Sequence, residues 1–282
     1  MDWNRIKTIF IISFLVLDLF LAFQFIQKKE NNQLDYMTET KIEDQLKADK
    51  ITYENFPKSI QKDTFIMASS KKFTEDDIKS LKDQAATLEE ETKIVSKLKE
   101  PFGDEKTKSE DNYDAFLKSY VLEGQKYTFA KVDDTKVYFH QKFRDKSIFY
   151  NPYGVIIAEL NDKKQIVSYT QTMLTDLQEM GGSNKKQELI PAQDAFETLF
   201  LKNGLEQNTH VKEAKIGYAT VVDPSSSNVQ VLAPTWNLKT DKKEEYFVNA
   251  IEGQVIKPEM AKQKEEQVIK LEMAKQKEGL ME

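Results

Sequence analysis

The sequence predicts an α+β protein. It reads as an N-terminal transmembrane helix followed by an extracytoplasmic region of antiparallel sheets, each covered by a helix, in two similar units. Three observations lead there. Residues 9–26 are apolar except for Ser13, Asp18 and Gln24. Beyond them, strand-length segments rich in β-branched and aromatic residues are separated by Asp, Asn and Pro turns. A helix with one apolar spacing precedes such strands twice, at Tyr113 and again at Ala192. The chain has 282 residues, 39% of them hydrophobic and 31% charged. Its mean hydropathy of −0.61 therefore averages a short membrane-like part and a long soluble part.

The first element is a helix over residues 6–26, whose length of about 31 Å matches a hydrocarbon core of about 30 Å. Arg5 and Lys7 precede its apolar run and Lys28 and Lys29 follow it. A cleavable signal peptide competes with this reading. It requires small residues at a cleavage site, whereas Leu21-Ala22-Phe23-Gln24-Phe25 is bulky. The flanking charges balance and leave orientation open. Long domains translocate largely regardless of charge, so residues 1–5 are expected as a cytoplasmic stub and the remainder outside a cell membrane crossed once. The sequence has no cysteine. That excludes disulfides, cysteine-ligated metals and thiol nucleophiles, and it suits an exported domain in a bacterium that does not rely on disulfides.

Asp18 is the informative polar residue of the span. A carboxylate near the middle of a bilayer costs about 2.5–3.5 kcal/mol on insertion scales. Helical spacing groups it with Ile11, Phe14, Leu15, Leu21, Ala22 and Phe25, and Ala22 and Ser13 are small enough for close helix approach. This face is the candidate partner-binding site, packing on other transmembrane helices. The competing reading is that Asp18 simply protonates and the helix inserts alone.

Residues 27–35 form a polar tether, and residues 36–180 the first expected α+β unit. Ile42 and Leu46 place a helix over residues 38–50, and short strands follow at 51–53 and 64–68. Thr74 with Asp77 three residues on has the form of a capping box and opens a helix over TEDDIKSLKDQ. Residues 92–98 alternate as a strand, and 103–111 are a charged loop. Tyr113, Phe116, Leu117, Tyr120 and Val121 share one helical face, with Gly124 placed as a C′ glycine. Strands are expected at 126–132, 136–143, 154–160 and 165–173, turned by Asp133-Asp134 and Asn161-Asp162-Lys163.

Residues 181–187 read as a linker, and 188–257 as the second unit. Ala192, Ala195, Phe196, Leu199 and Phe200 repeat the helical spacing between Pro191 and Gly204. Strands follow at 211–222, 228–238 and 244–250, with turns at 224–227 and 241–243. The charged tail, residues 258–282, carries most of a tandem repeat: 254–265 and 267–278 agree at eleven of twelve positions. An offset of 13 residues rotates a helix by about 220° beyond whole turns, so the two copies share no face and no coiled-coil stripe results. A tolerated duplication is the plainer reading, a partner-binding helix the sharper one.

Catalytic signatures are missing: there is no P-loop, GxSxG, HExxH or kinase motif. The two histidines, His140 in a strand and His210 at a loop, stand apart in sequence. The acidic pairs and runs, Asp76-Asp77 and Glu89-Glu90-Glu91, read as solvated helix faces. No cofactor or metal is expected. A net charge of −6 with arginine only at Arg5 and Arg144 argues against nucleic acid as a partner.

The opening MDWNRIKTIFIISFLVLDLFL, taken with the closing PTWNLKTDKKEEYFVNAIEGQVI, resembles the YycI family over residues 1–257. The resemblance implies an intracellular N-terminus, one span in the lipid bilayer and an extracytoplasmic domain similar to the last two domains of a sister protein, YycH. It further implies that both proteins act through transmembrane helices on the YycG (WalK) sensor histidine kinase. The expected function is thus a non-enzymatic regulator of a cell-wall two-component system. The alternative is an exported module that binds a peptide or wall fragment, or restrains a protease, without kinase control.

Overall fold

The computed structural model describes residues 7, 10–11, 13–22, 39–57, 61–103, 110–181, 185–220, 229–242 and 244–256. Helix α1 covers residues 13–22, and Lys7, Phe10 and Ile11 are helical as well. The other helices are α2 (Glu39–Asp49), α3 (Glu75–Lys79), α4 (Glu110–Tyr120) and α5 (Ala192–Leu201), with a 3₁₀ turn at Gly124–Lys126. The strands in chain order are β1 (Thr52–Tyr53), β2 (Lys62–Asp63), β3 (Ile66–Ser70), β4 (Gln84–Glu89), β5 (Lys93–Phe102), β6 (Tyr127–Val132), β7 (Lys136–Phe143) and β8 (Lys146–Phe149). They continue with β9 (Val155–Leu160), β10 (Ile166–Gln171), β11 (Leu174–Glu179), β12 (Gln187–Glu188), β13 (His210–Thr220), β14 (Val229–Thr240), β15 (Glu245–Asn249) and β16 (Val255–Ile256).

The α+β class holds, with sheet dominant. Fourteen strands hydrogen-bond into one sheet whose main path runs β11-β3-β14-β13-β8-β7-β9-β10-β5-β4, and β12 pairs β2 separately. Two helix-covered regions lie on it. On one, Phe116 and Leu117 of α4 pack with Ile94, Phe139, Ile156 and Tyr169. On the other, Phe196 and Leu199 of α5 join Ile42 and Leu46 of α2 against Trp236, Leu238 and Val248. Ile66, Ile148, Leu174, Tyr218 and Leu232 form a third, smaller core where these regions meet.

Two sequence expectations are corrected. The helix-covered regions share a continuous sheet rather than owning one each, and it is not wholly antiparallel, because β1 and β8 both pair β13 in parallel. The first region is also not the first half of the chain. Residues 39–57 contribute α2 and β1 to the region built around α5, and β3 goes to the third core through Ile66 and Ala68. The reason is burial: Ile51 and Phe56 are apolar, and the apolar face of α5 is what buries them. Chain order could not reveal this, since a parallel pairing joins segments far apart in sequence.

The helix opened by Thr74 has both hydrogen bonds of the capping box, from the Asp77 amide to the Thr74 hydroxyl and from the Thr74 amide to the Asp77 carboxylate. It ends at Lys79, and residues 84–89 form β4 instead of extending it. Glu90 and Glu91 then take positive φ values of 50° and 56° in the β4–β5 hairpin, so this acidic run is a turn and not a helix face. Pro234 lies inside β14, where the neighbour changes from β3 (paired through Leu232) to β15 (paired from Thr235). Its missing N–H falls at that gap.

Gly124 differs from a C′ glycine. The left-handed residue after α4 is Glu123, at φ 51°. A Cβ on Gly124 would lie 1.8 Å from the backbone oxygen of Leu117, so close approach is what demands glycine. The end of α5 repeats the device with Asn203 left-handed at φ 52°, and a Cβ on Gly204 would lie 2.4 Å from Leu199 Cδ1. Gly124→Ala is expected to lower stability by about 1–3 kcal/mol, the usual cost of forced overpacking. A urea-unfolding midpoint equal to that of the parent chain would contradict it.

Among the described residues, no helix is long and apolar enough to cross a membrane. Only part of residues 6–26 is described. The 224–227 turn and the tail from residue 257 onward lie outside the described residues.

Candidate functional site: an apolar helix and the buried polar groups of the sheet

The α1 stretch presents the face singled out from sequence. Ile11, Phe14, Leu15, Asp18, Leu21 and Ala22 are all helical and exposed, and Phe25 lies outside the described residues. Spacings of three, four and seven residues put them on one side of the helix. The large apolar side chains from Phe10 to Leu21 are 48% to 65% exposed, and none joins a core cluster. Such a contiguous apolar surface marks an interaction with membrane or protein. The only carboxylate within it is Asp18.

In the sheet, charge is concentrated at two places that sequence reading did not mark. The first centres on Asp63 of β2, which is 2% exposed. Its carboxylate accepts from Lys146 Nζ of β8 at 2.6 Å, and from the Tyr218 hydroxyl of β13 at 2.9 Å to each oxygen. The Thr64 amide adds a fourth contact at 2.9 Å. Burial, reinforced by the negative charge of Asp63, pushes the Tyr218 hydroxyl well above the ordinary tyrosine range. Next to it, Glu179 of β11 binds Arg144 and lies 3.2 Å from Lys186. The arrangement fixes a charge with donors on every side. It ties β2, β8 and β13 together.

The second place surrounds His140 of β7, which is 5% exposed with its Nε2 buried and unpaired. Its ring packs 6.1 Å from Phe149 and 5.8 Å from Tyr150, centroid to centroid. The Tyr150 hydroxyl donates to Glu245 Oε2 at 2.9 Å, and Lys239 Nζ approaches Glu245 Oε1 at 2.8 Å. Burial pushes the His140 imidazole down to about 4. Glu245 pulls the other way, while Lys131 and Lys239 add to the depression. Burial also opposes ionisation of Glu245, yet Lys239, the Tyr150 hydroxyl and His140 outweigh it and hold the carboxyl below its usual range. The strand placement of His140 was legible in its alternating neighbours. Its depth was not, because both faces of β7 are covered.

His210 opens β13, with Nδ1 at 2.7 Å from the Thr52 hydroxyl and Nε2 at 3.4 Å from Glu54. It therefore stitches the parallel β1–β13 pair, with β8 between β13 and the β7 strand that carries His140. Among the described residues, no three His, Asp or Glu side chains gather as metal ligands.

Comparison with known proteins places the chain. The model of the YycI protein family matches residues 29–251. No curated protein matches. Among solved structures, an uncharacterized protein from Eubacterium rectale ATCC 33656 is similar at 10% identity and a TM-score of 0.41, over 73% of this chain and 89% of its own. The family match covers the sheet from α2 to β15, together with the helices that cover it, and by that match the chain belongs to the YycI family.

Proposed function

We propose that this chain is a membrane-anchored, non-enzymatic regulator that modulates a YycG (WalK)-type sensor histidine kinase together with a YycH-like sister protein. Membership of the YycI family associates it with that two-component system. In this reading the segment of residues 6–26 crosses the bilayer once, with the N-terminus in the cytoplasm and the sheet outside. The observation that carries the proposal is the exposed apolar surface of α1 with Asp18 set into it. A carboxylate costly in lipid is stabilised when its face packs on neighbouring helices. A regulator without a reaction acts by binding one state of its target better than another. Interhelical polar contacts contribute about 0.6–2 kcal/mol each, so a few supply the roughly 1–3 kcal/mol typical of coupling between sites.

The test replaces Asp18 by Leu and Phe14 by Ala, separately, in the native membrane. Each is expected to weaken co-purification of the kinase by about 3- to 30-fold, the equivalent of one such contact, and to shift kinase output. Output and association both unchanged would sink the transmembrane-contact reading. Crosslinking from residues 11, 14 and 18 identifies the neighbouring helices directly.

A further inference from the structure

The tandem repeat of the tail gains a meaning once its first copy is placed. Residues 254–265 and 267–278 agree at eleven of twelve positions. The first copy begins as a strand. Val255 and Ile256 form β16, which adds to the outer edge of β15 through Val248↔Val255 and Phe247↔Ile256. The Asn249 amide donates to the Gln254 carbonyl at 2.8 Å, and Val255 packs on the core beneath α5. The second copy opens with the same four residues, Gln267-Val268-Ile269-Lys270. The contacts that seat Val255 and Ile256 on β15 are therefore open to Val268 and Ile269 as well.

The copies differ at one position, and that position bears on pairing. The Thr240 amide donates to the Glu244 carbonyl and the Ala250 amide to that of Pro234. Alternation then turns the backbone groups of Glu244, Tyr246, Val248 and Ala250 toward β14, and leaves those of Glu245, Phe247 and Asn249 for the outer edge. Gln254 and Ile256 meet Asn249 and Phe247. In the same register the residue opposite Glu245 is 258, a proline with no N–H to donate. The second copy has Leu271 at that place, and its N–H is available to the Glu245 carbonyl.

The first copy has the shorter connection. Ile251 and Glu252 donate to Asn249 Oδ1 at 2.9 and 3.1 Å, and Gly253 turns the chain at φ 66°. Seating the second copy closes a connection of 17 residues, 250–266, in place of 4, 250–253. Chain entropy favours the first copy by about ninefold on that count. One additional ladder hydrogen bond favours the second by about 2- to 13-fold. The two effects are of similar size.

We propose that β15 is an acceptor edge with two occupants in the same chain, residues 254–257 in one register and residues 267–270 in a second. Exchange between them displaces residues 254–266 and moves the rest of the tail by 13 residues relative to the sheet.

The chain has no cysteine, so introduced pairs report the register. Val248 and Val255 face each other as a non-hydrogen-bonded pair, whose Cα spacing of about 4.5 Å suits a disulfide. In the mildly oxidised full-length protein, Val248→Cys with Val255→Cys is expected to cross-link within the chain. Val248→Cys with Val268→Cys is expected to do so too. Val248→Cys with Ile269→Cys, which sets the second cysteine on the opposite face, is expected to be at least about tenfold slower. Adding Pro258→Leu to the Val268→Cys pair gives the first copy its missing N–H and is expected to slow cross-linking by about 2- to 13-fold. Adding Val255→Asp unseats the first copy and is expected to speed it. The far-ultraviolet circular dichroism of each reduced protein is expected to match the parent. A Val268→Cys pair no faster than the Ile269→Cys pair would overturn the proposal. So would a rate indifferent to Pro258→Leu and Val255→Asp, as chance collisions of the tail would give. A disulfide between two chains would overturn it as well, by assigning the second copy to a neighbour.

Discussion

Asp63→Ala is expected to lower the unfolding free energy by about 3 kcal/mol, the lower part of the range for removing one member of a buried, hydrogen-bonded charge pair. The lower part applies because the Lys146 side chain is 28% exposed and can return to water, whereas the Tyr218 hydroxyl is buried and loses its acceptor. Tyr218→Phe is expected to cost less, about 1.5–3 kcal/mol, because Asp63 keeps Lys146 and the Thr64 amide and forfeits one hydrogen bond to a charge. The double variant is expected to cost less than the two together, since both remove the same contact. The effect has a structural locus. The parallel β8–β13 ladder that joins the two helix-covered regions is only Tyr218↔Ile148 and Ala219↔Phe149. The Asp63 carboxylate reaches both of these strands from β2, so it adds a cross-link where backbone pairing is short. Urea unfolding with two probes, one near Trp236 and one reporting the region around α4, tests this. Asp63→Ala within about 0.5 kcal/mol of the parent would show the cluster to be dispensable. Loss of coincidence between the probes in Asp63→Ala would show that it couples the two regions.

These groups show where sequence reading stopped. Helices α2, α4 and α5, the capping box at Thr74 and most strands were legible because apolar period and turn residues are local properties. Thus Asp133 caps its turn at 2.7 Å to the Lys136 amide, and Asn161 at 2.9 Å to that of Gln165, as their turn chemistry predicts. β8 was missed because its hairpin is turned by Arg144-Asp145, at φ 48° and 64°, instead of by the Asn-Gly or Asp-Gly that signals such a turn. β4 was missed because the acidic run beside it, Glu89-Glu90-Glu91, mimics a helix surface. The regrouping of α2 and β1 with α5 was hidden because nothing in a local pattern specifies a partner far away in the chain. Asp63 and His140 were hidden for a related reason. A charged residue in a strand reads as exposed until the elements covering it are placed. The α1 face is the reverse case, since its residues were named from spacing alone, and the structure adds the exposure of Ile11, Phe14, Leu15, Asp18, Leu21 and Ala22.

His140 sets a second large expectation, concerning acid. The imidazole is held neutral, with a pKa near 4 against an ordinary value of 6.5. The unfolded chain takes up this proton as pH falls below about 6.5, while the folded chain refuses it until about 4. Stability is therefore complete above pH 6.5 and falls across the window between these values, by up to about 3 kcal/mol. Glu245 acts in the same direction but lower down. Its carboxyl is depressed from 4.5, so the stability it contributes is present above that value and is lost as pH falls through its folded pKa. The two effects separate by variant. His140→Leu removes the loss between pH 6.5 and 4.5 and leaves the steeper loss below it. Glu245→Gln does the opposite, keeping the upper slope and extending it to lower pH, because the carboxylate that favours protonation of His140 is gone. Unfolding free energies at pH 7, 5.5 and 4.5 decide this. A His140→Leu variant with the parent's slope across that interval would place the titration elsewhere. A flat parent curve would mean that the imidazole titrates alike in the folded and unfolded chains, so that burial does not depress it.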